Sequence, residues 1–218
     1  MCWAESAFPV LGRPLSYGFY TPMEAIVSKA LFLSALSALL IFATPWLLGL
    51  DLPNQLINER GALEYSERSL ANGVFLLIGA FWMGTVEAVR KFHEPQRMDP
   101  WVRFGVIAFA ASLIGRMVFP CDLSCPLQGS VTQLLHNTLV WVLYAGALVA
   151  GWRLTLMTVL GRVLKWVLLV CFVLLQLAFW QRNAWPGVWQ LGYEWSFAVL
   201  WLLWVYQTTR ADGAKVNG

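Results

Sequence analysis

The chain has 218 residues, of which 59% are hydrophobic and 12% charged, and its formal net charge is +3. A soluble domain averages about 25% charged residues, so this composition, with its mean hydropathy of +0.61, excludes an ordinary soluble globular protein. The few basic residues sit in short clusters between apolar blocks, which argues for topology signals and against a nucleic-acid surface.

Residues 1–25 are broken by Pro9, Pro14 and Pro22 and lack the basic and apolar regions of a cleavable signal peptide. They are expected to form a short irregular arm, with the first span directing insertion. The apolar blocks that follow have the length that crosses a bilayer, about 20 residues each. They predict an all-α polytopic protein with one six-helix transmembrane domain over residues 26–207. Its spans are expected at 26–50, 71–89, 101–119, 131–152, 160–180 and 193–206, with a short polar tail at 208–218. Pro45 falls near the end of the first span. Ala80 with Gly84, and Ala111 with Gly115, have the small-xxx-small spacing of close helix packing. Trp46, Trp101, Trp152, Trp180, Trp185 and Trp189 lie near block ends, where indole rings anchor at the interface.

The basic residues choose the orientation. The loops after spans two and four and the tail carry Arg90, Lys91, Arg97, Arg103, Arg153, Arg162, Lys165, Arg210 and Lys215. The opposite side carries Arg60, Arg68, Arg116 and Arg182. By the positive-inside rule both termini are cytoplasmic and the loops after spans one, three and five face outward. A bacterial inner membrane is the expected location.

The chemistry gathers at Phe119-Pro120-Cys121-Asp122-Leu123-Ser124-Cys125 and at His136. Polar groups inside an apolar chain cost free energy unless paired or used. Gln133, His136 and Asn137 are spaced i, i+3, i+4 and share one face of span four. With Glu59, Arg116 and Glu194 they form a candidate pocket at the outer end, drawn from three separate places in the sequence. Asp122 and His136 are a candidate acid–base pair. His136 could equally be a metal ligand or an interhelical hydrogen-bond donor. Arg116 needs a carboxylate, for which Asp122 and Glu194 are the candidates. Cys121 and Cys125 have neither zinc-finger nor thioredoxin spacing. On an oxidising outer face a local disulfide closing the turn is expected; free thiols or metal binding are the alternatives. No set of three or four ligands with zinc spacing appears, so no metal is predicted. No phosphate loop, nucleophile elbow or metal helix names a cofactor.

This order of features resembles the bacterial and archaeal membrane family known as domain of unknown function 998. The resemblance rests on Phe119-Pro120-Cys121-Asp122 after span three and Leu135-His136 in span four. It is extended by Ile57-Asn58-Glu59-Arg60-Gly61-Ala62 and Asn72-Gly73 around the first loop. It covers about residues 26–207 and implies six spans. In the first loop the family's Ser and Leu stand as Asn58 and Arg60, so no role of that Ser carries over.

Two functional classes follow. In one, the outer pocket binds, and with Asp122 and His136 processes, a membrane lipid headgroup or small amphiphile. In the other, the chain is a non-catalytic accessory or scaffold subunit whose Trp-rich surface docks a membrane-protein partner.

Overall fold

The computed structural model describes residues 22–50, 55–62, 66–92, 98–122, 125–126, 128–156, 158–181 and 185–216. Among them are six α-helices and no strand. They are α1 (Pro22–Leu47), α2 (Arg68–Phe92), α3 (Pro100–Val118), α4 (Val131–Arg153), α5 (Val159–Gln181) and α6 (Pro186–Val216), with a short 3-10 turn at Ile57–Gly61. A chain in lipid must satisfy its backbone internally, and a helix does so within one segment. Five of the helices, α1 to α5, are long and apolar enough to cross a membrane. The chain is built as an all-α multi-pass membrane protein.

Two boundaries differ from the sequence expectation. The first helix opens at Pro22, so the predicted arm ends before residue 22; its remainder lies outside the described residues. Proline is tolerated in a first helical turn, where its missing N–H has no intrahelical partner to lose. The last helix opens at Pro186, not at 193, and continues to Val216. Pro186–Trp189, within the segment expected to be a loop, thus opens α6, and the expected polar tail is helical as far as Val216. Trp185 takes φ +50°, a left-handed turn just ahead of the proline.

Each helix packs on its chain neighbour, and α6 closes back onto α1. At the centre Trp82 lies 4.9 Å from the rings of both Phe109 and Phe197 and 5.4 Å from Trp201. These two tryptophans are fully buried core residues. Trp46, Trp101, Trp152 and Trp185 are exposed, as an interfacial belt requires.

Pro45 sits inside α1 and cannot donate to the carbonyl four residues back. That carbonyl, Ile41 O, instead accepts from the indole Nε1–H of Trp195 on α6, at 3.4 Å. The proline thus frees an acceptor that α6 uses. Of the expected small-residue pairs, Gly84 and Gly115 pack closely, a Cβ there meeting Leu33 at 3.0 Å and Leu139 at 2.9 Å, while Ala80 and Ala111 point outward. The tight crossing is between α3 and α4, where a Cβ on Gly105 would meet Gly146 O at 2.3 Å. A Cβ on Gly79 would meet Ala110 O at 2.8 Å. Outside the core the surface is apolar, with Phe32, Leu39, Phe104 and Leu134 all exposed, which suits a lipid solvent and not water.

Candidate functional site

The segment after α3 is built by local rules. The Phe119 N–H closes α3 on Gly115 O, and Pro120, without an N–H, does not continue the helix. Ser130 caps α4, its Oγ accepting from the Gln133 N–H at 3.1 Å. Asp122 holds that cap in turn: its carboxylate accepts from the Ser130 N–H and from the Ser130 hydroxyl, both at 3.0 Å. Gly129 is required here, because a Cβ would meet Asp122 Oδ2 at 2.6 Å. Gly129→Ala is therefore expected to displace Asp122 from the cap, and Ser130→Ala to cost about 1 kcal/mol. Thermal unfolding in detergent would check both.

The polar face of α4 forms as the spacing predicts, and its first use is to tie down this loop. Gln133 is fully buried. Its Oε1 accepts from the Asp122 N–H at 2.6 Å, and its Nε2 donates to Pro126 O at 2.8 Å and to Asn137 Oδ1 at 2.9 Å. Asn137 Nδ2 donates to the same Pro126 carbonyl at 3.0 Å. His136 Nδ1 lies 2.8 Å from Phe119 O. Asp122 and His136 are therefore each committed elsewhere, and the hydrogen bond expected between them is not made. The carboxylate is drawn to the α4 cap, where two donors converge, and the imidazole to the frayed end of α3. Gln133, expected to bind substrate, has its amide engaged in clamping the loop.

Arg116 and Glu194 are both buried, 2% and 7% exposed. Their charges favour each other across the bundle interior, so Glu194 remains a candidate carboxylate for Arg116. The Arg116 guanidinium also lies over the Phe75 ring, 4.8 Å from its centroid, a cation–π arrangement. Glu194 accepts from Gln190 Nε2 at 3.0 Å, and Gln190 Oε1 accepts from the Ile57 N–H at 2.9 Å. A polar chain thus runs from the 3-10 turn through α6 to α3. Gln190 and Glu194 are four apart, so one face of α6 carries both. Glu59 stays in its own turn, held by the Leu56 backbone and the Arg60 charge; partial burial raises its carboxyl above the usual range. It is not part of this chain of contacts.

The sulfurs of Cys121 and Cys125 are joined in a disulfide. A ring nitrogen of His136 and the two sulfurs all lie within 4.8 Å of one another. The sequence gathers these residues in one region, but not as a common ligand set; the loop folds back over α4 to bring the three atoms together.

A crevice of about 30 Å³ lies between α4 and α5, lined by Asn137, Val140, Trp141, Tyr144, Gln176 and Phe179. Both amide atoms of Gln176 are buried, and neither has a hydrogen-bond partner among the described residues. Sequence reading missed Gln176 because it stands alone in an apolar span; an amide at that depth was the signal. At the other end of the bundle Asp99, Trp152, Arg153, Leu154 and Lys165 line an open groove. Its charges are already engaged: Arg153 pairs with Asp99 at 3.1 Å, and Lys165 donates to the Trp152 and Leu154 carbonyls at the end of α4.

Compared with known proteins, the chain matches no family model, no curated protein and no solved structure.

Proposed function

We propose that this is a six-span protein of a bacterial inner membrane that binds a neutral amphiphile from the outer half of the bilayer. Its polar group would sit in the crevice between α4 and α5, on Asn137, Tyr144 and Gln176. The observation that carries this reading is Gln176. A buried amide without partners costs about 1–3 kcal/mol, and in lipid no solvent relieves it. A crevice of about 30 Å³ has room for one polar group of about a water's size. Amides and a phenol suit a hydroxyl or carbonyl; no charged side chain lines the crevice. The exposed apolar surface of α5, with Val170, Val173 and Leu177, would hold the tail.

The binding reading does not depend on a catalytic step; acid–base work by Asp122 and His136, both held by the loop, stays a separate proposal. Kinship with domain of unknown function 998 is kept in the proposal on Phe119-Pro120-Cys121-Asp122 and Leu135-His136. The sixth span would be α6, whose polar groups Gln190 and Glu194 are buried among the other helices. The basic-residue asymmetry supports cytoplasmic termini. With the other cysteines replaced by serine, Gln128→Cys is expected to react with an impermeant maleimide in intact spheroplasts. Reaction only after permeabilisation would reverse the orientation.

The binding claim is tested by Gln176→Leu. If Gln176 serves a ligand, the variant is expected to fold with equal or higher thermal stability, because an unsatisfied amide is removed. It is also expected to lose, by native mass spectrometry, an amphiphile that co-purifies with the wild type. A variant that is less stable and keeps the same bound species would contradict the claim and favour the accessory-subunit reading.

A further inference from the structure

Cys121 and Cys125, although bonded to each other, share their surroundings with a third potential ligand. The two sulfurs and a His136 ring nitrogen lie within 4.8 Å of one another, and ligands around one tetrahedral ion at 2.0–2.3 Å fall within that spread. A second observation concerns the imidazole. Its Nδ1 lies 2.8 Å from Phe119 O, where only an N–H can be bonded, so Nδ1 carries the proton and Nε2 the lone pair. A ligating histidine is commonly oriented in this way, by donating its other ring N–H to a backbone carbonyl. His136 Nε2 is buried and has no hydrogen-bond partner among the described residues. His136 is 3% exposed and Cys121 wholly buried, while Cys125 is partly exposed, which leaves a route to the site from the end of the bundle.

We propose that the reduced form of this segment is a zinc site, with Cys121 and Cys125 thiolates and His136 Nε2 as ligands. The disulfide is then its closed, metal-free state. Opening the site balances as thiol–disulfide exchange. A dithiol reductant breaks the Cys121–Cys125 bond, its own two sulfurs join, and its two protons pass to the cysteines. Zinc(II) then binds two thiolates and releases those two protons. Two thiolates and the dication sum to zero, and Arg116 with Glu194 also sums to zero, so the metal adds no net charge to a poorly solvated region. Three protein ligands leave the fourth position open. None of the three ligands lines the amphiphile crevice.

The test uses the purified full chain in detergent under anaerobic conditions. After reduction it is expected to bind one equivalent of cobalt(II), with thiolate-to-cobalt charge-transfer absorption that zinc(II) displaces; the unreduced protein is expected to show none. X-ray absorption of the zinc-loaded wild type is expected to give two sulfur neighbours near 2.3 Å and at least one nitrogen near 2.0 Å. His136→Gln is expected to weaken binding at least about tenfold, beyond what loss of an outer partner usually does at its minimum. Absence of the charge-transfer band in the reduced protein would overturn the proposal. So would a zinc shell with sulfur and no histidine nitrogen, or unchanged affinity in His136→Gln. If that variant does not fold, the wild-type spectra alone decide.

Discussion

Gly105→Leu is expected to prevent the protein from accumulating in the membrane, the largest effect of any single substitution proposed for this chain. At this crossing α3 and α4 touch through their backbones. A Cβ on Gly105 would lie 2.3 Å from Gly146 O and 2.9 Å from the Ala150 Cβ, and a Cβ on Gly146 would lie 2.8 Å from Gly105 O. None of these neighbours is the end of a flexible side chain, so the helices themselves must separate. Overpacking a close-packed interior costs about 1–3 kcal/mol, and here Gly105→Ala alone should reach that range. Association of helices in lipid depends on such packing, since exposed apolar surface provides no drive there. Gly73 is the control. It lies in α2, and a Cβ added there would meet nothing within 4 Å, so Gly73→Ala should be neutral or stabilise by up to about 1 kcal/mol. Membrane abundance would check Gly105→Leu, and thermal unfolding in one detergent the two alanine variants; equal melting of Gly105→Ala and Gly73→Ala would contradict the packing.

Arg116→Leu should come next, at about 3–5 kcal/mol, the usual cost of removing one member of a buried charged pair. Glu194 keeps the Gln190 amide but loses the cation that acts on it. Replacing both, Arg116→Leu with Glu194→Leu, should recover much of that loss, since an apolar pair of similar bulk carries no desolvation cost. The measurement is a double-mutant cycle in mixed micelles. A double variant as unstable as the sum of the singles would mean that Arg116 and Glu194 do not depend on each other. Pairings at the surface are weaker: Glu87 bonds Arg90 at 2.9 Å and Lys91 at 3.4 Å, where solvent screens the charges.

Much of the fold was legible as runs of apolar residues, because the bilayer sets span length and leaves the backbone one local solution. The helices from α2 to α5 fall within a few residues of their expected bounds. The last helix was the hard one. The sequence places Glu194 near the outer end as a candidate partner for Arg116, but Gln190 falls in the expected loop, and its bonds to the distant Ile57 N–H and to Glu194 follow only from the longer α6. The polar face of α4 was legible from its spacing; its use was not. Spacing places Gln133, His136 and Asn137 together but says nothing about the Pro126 and Phe119 carbonyls, which come within reach only when the loop folds back. The same return brings Cys121, Cys125 and His136 into one cluster. Gln176 and the Gly105–Gly146 crossing involve single residues on separate helices, and no local pattern pairs them.

The central claim, that an amphiphile occupies the crevice between α4 and α5, is tested most directly by photo-crosslinking in living cells. A photoreactive amino acid would replace Trp141, which lines the crevice and is half exposed, and separately Phe104, exposed on α3. Mass spectrometry of the purified protein would identify the adducts. One molecular class of neutral amphiphile is predicted at position 141, absent at position 104 and lost when Gln176→Leu is added. The same mixture of bulk membrane lipids at both positions, unchanged by Gln176→Leu, would contradict the claim.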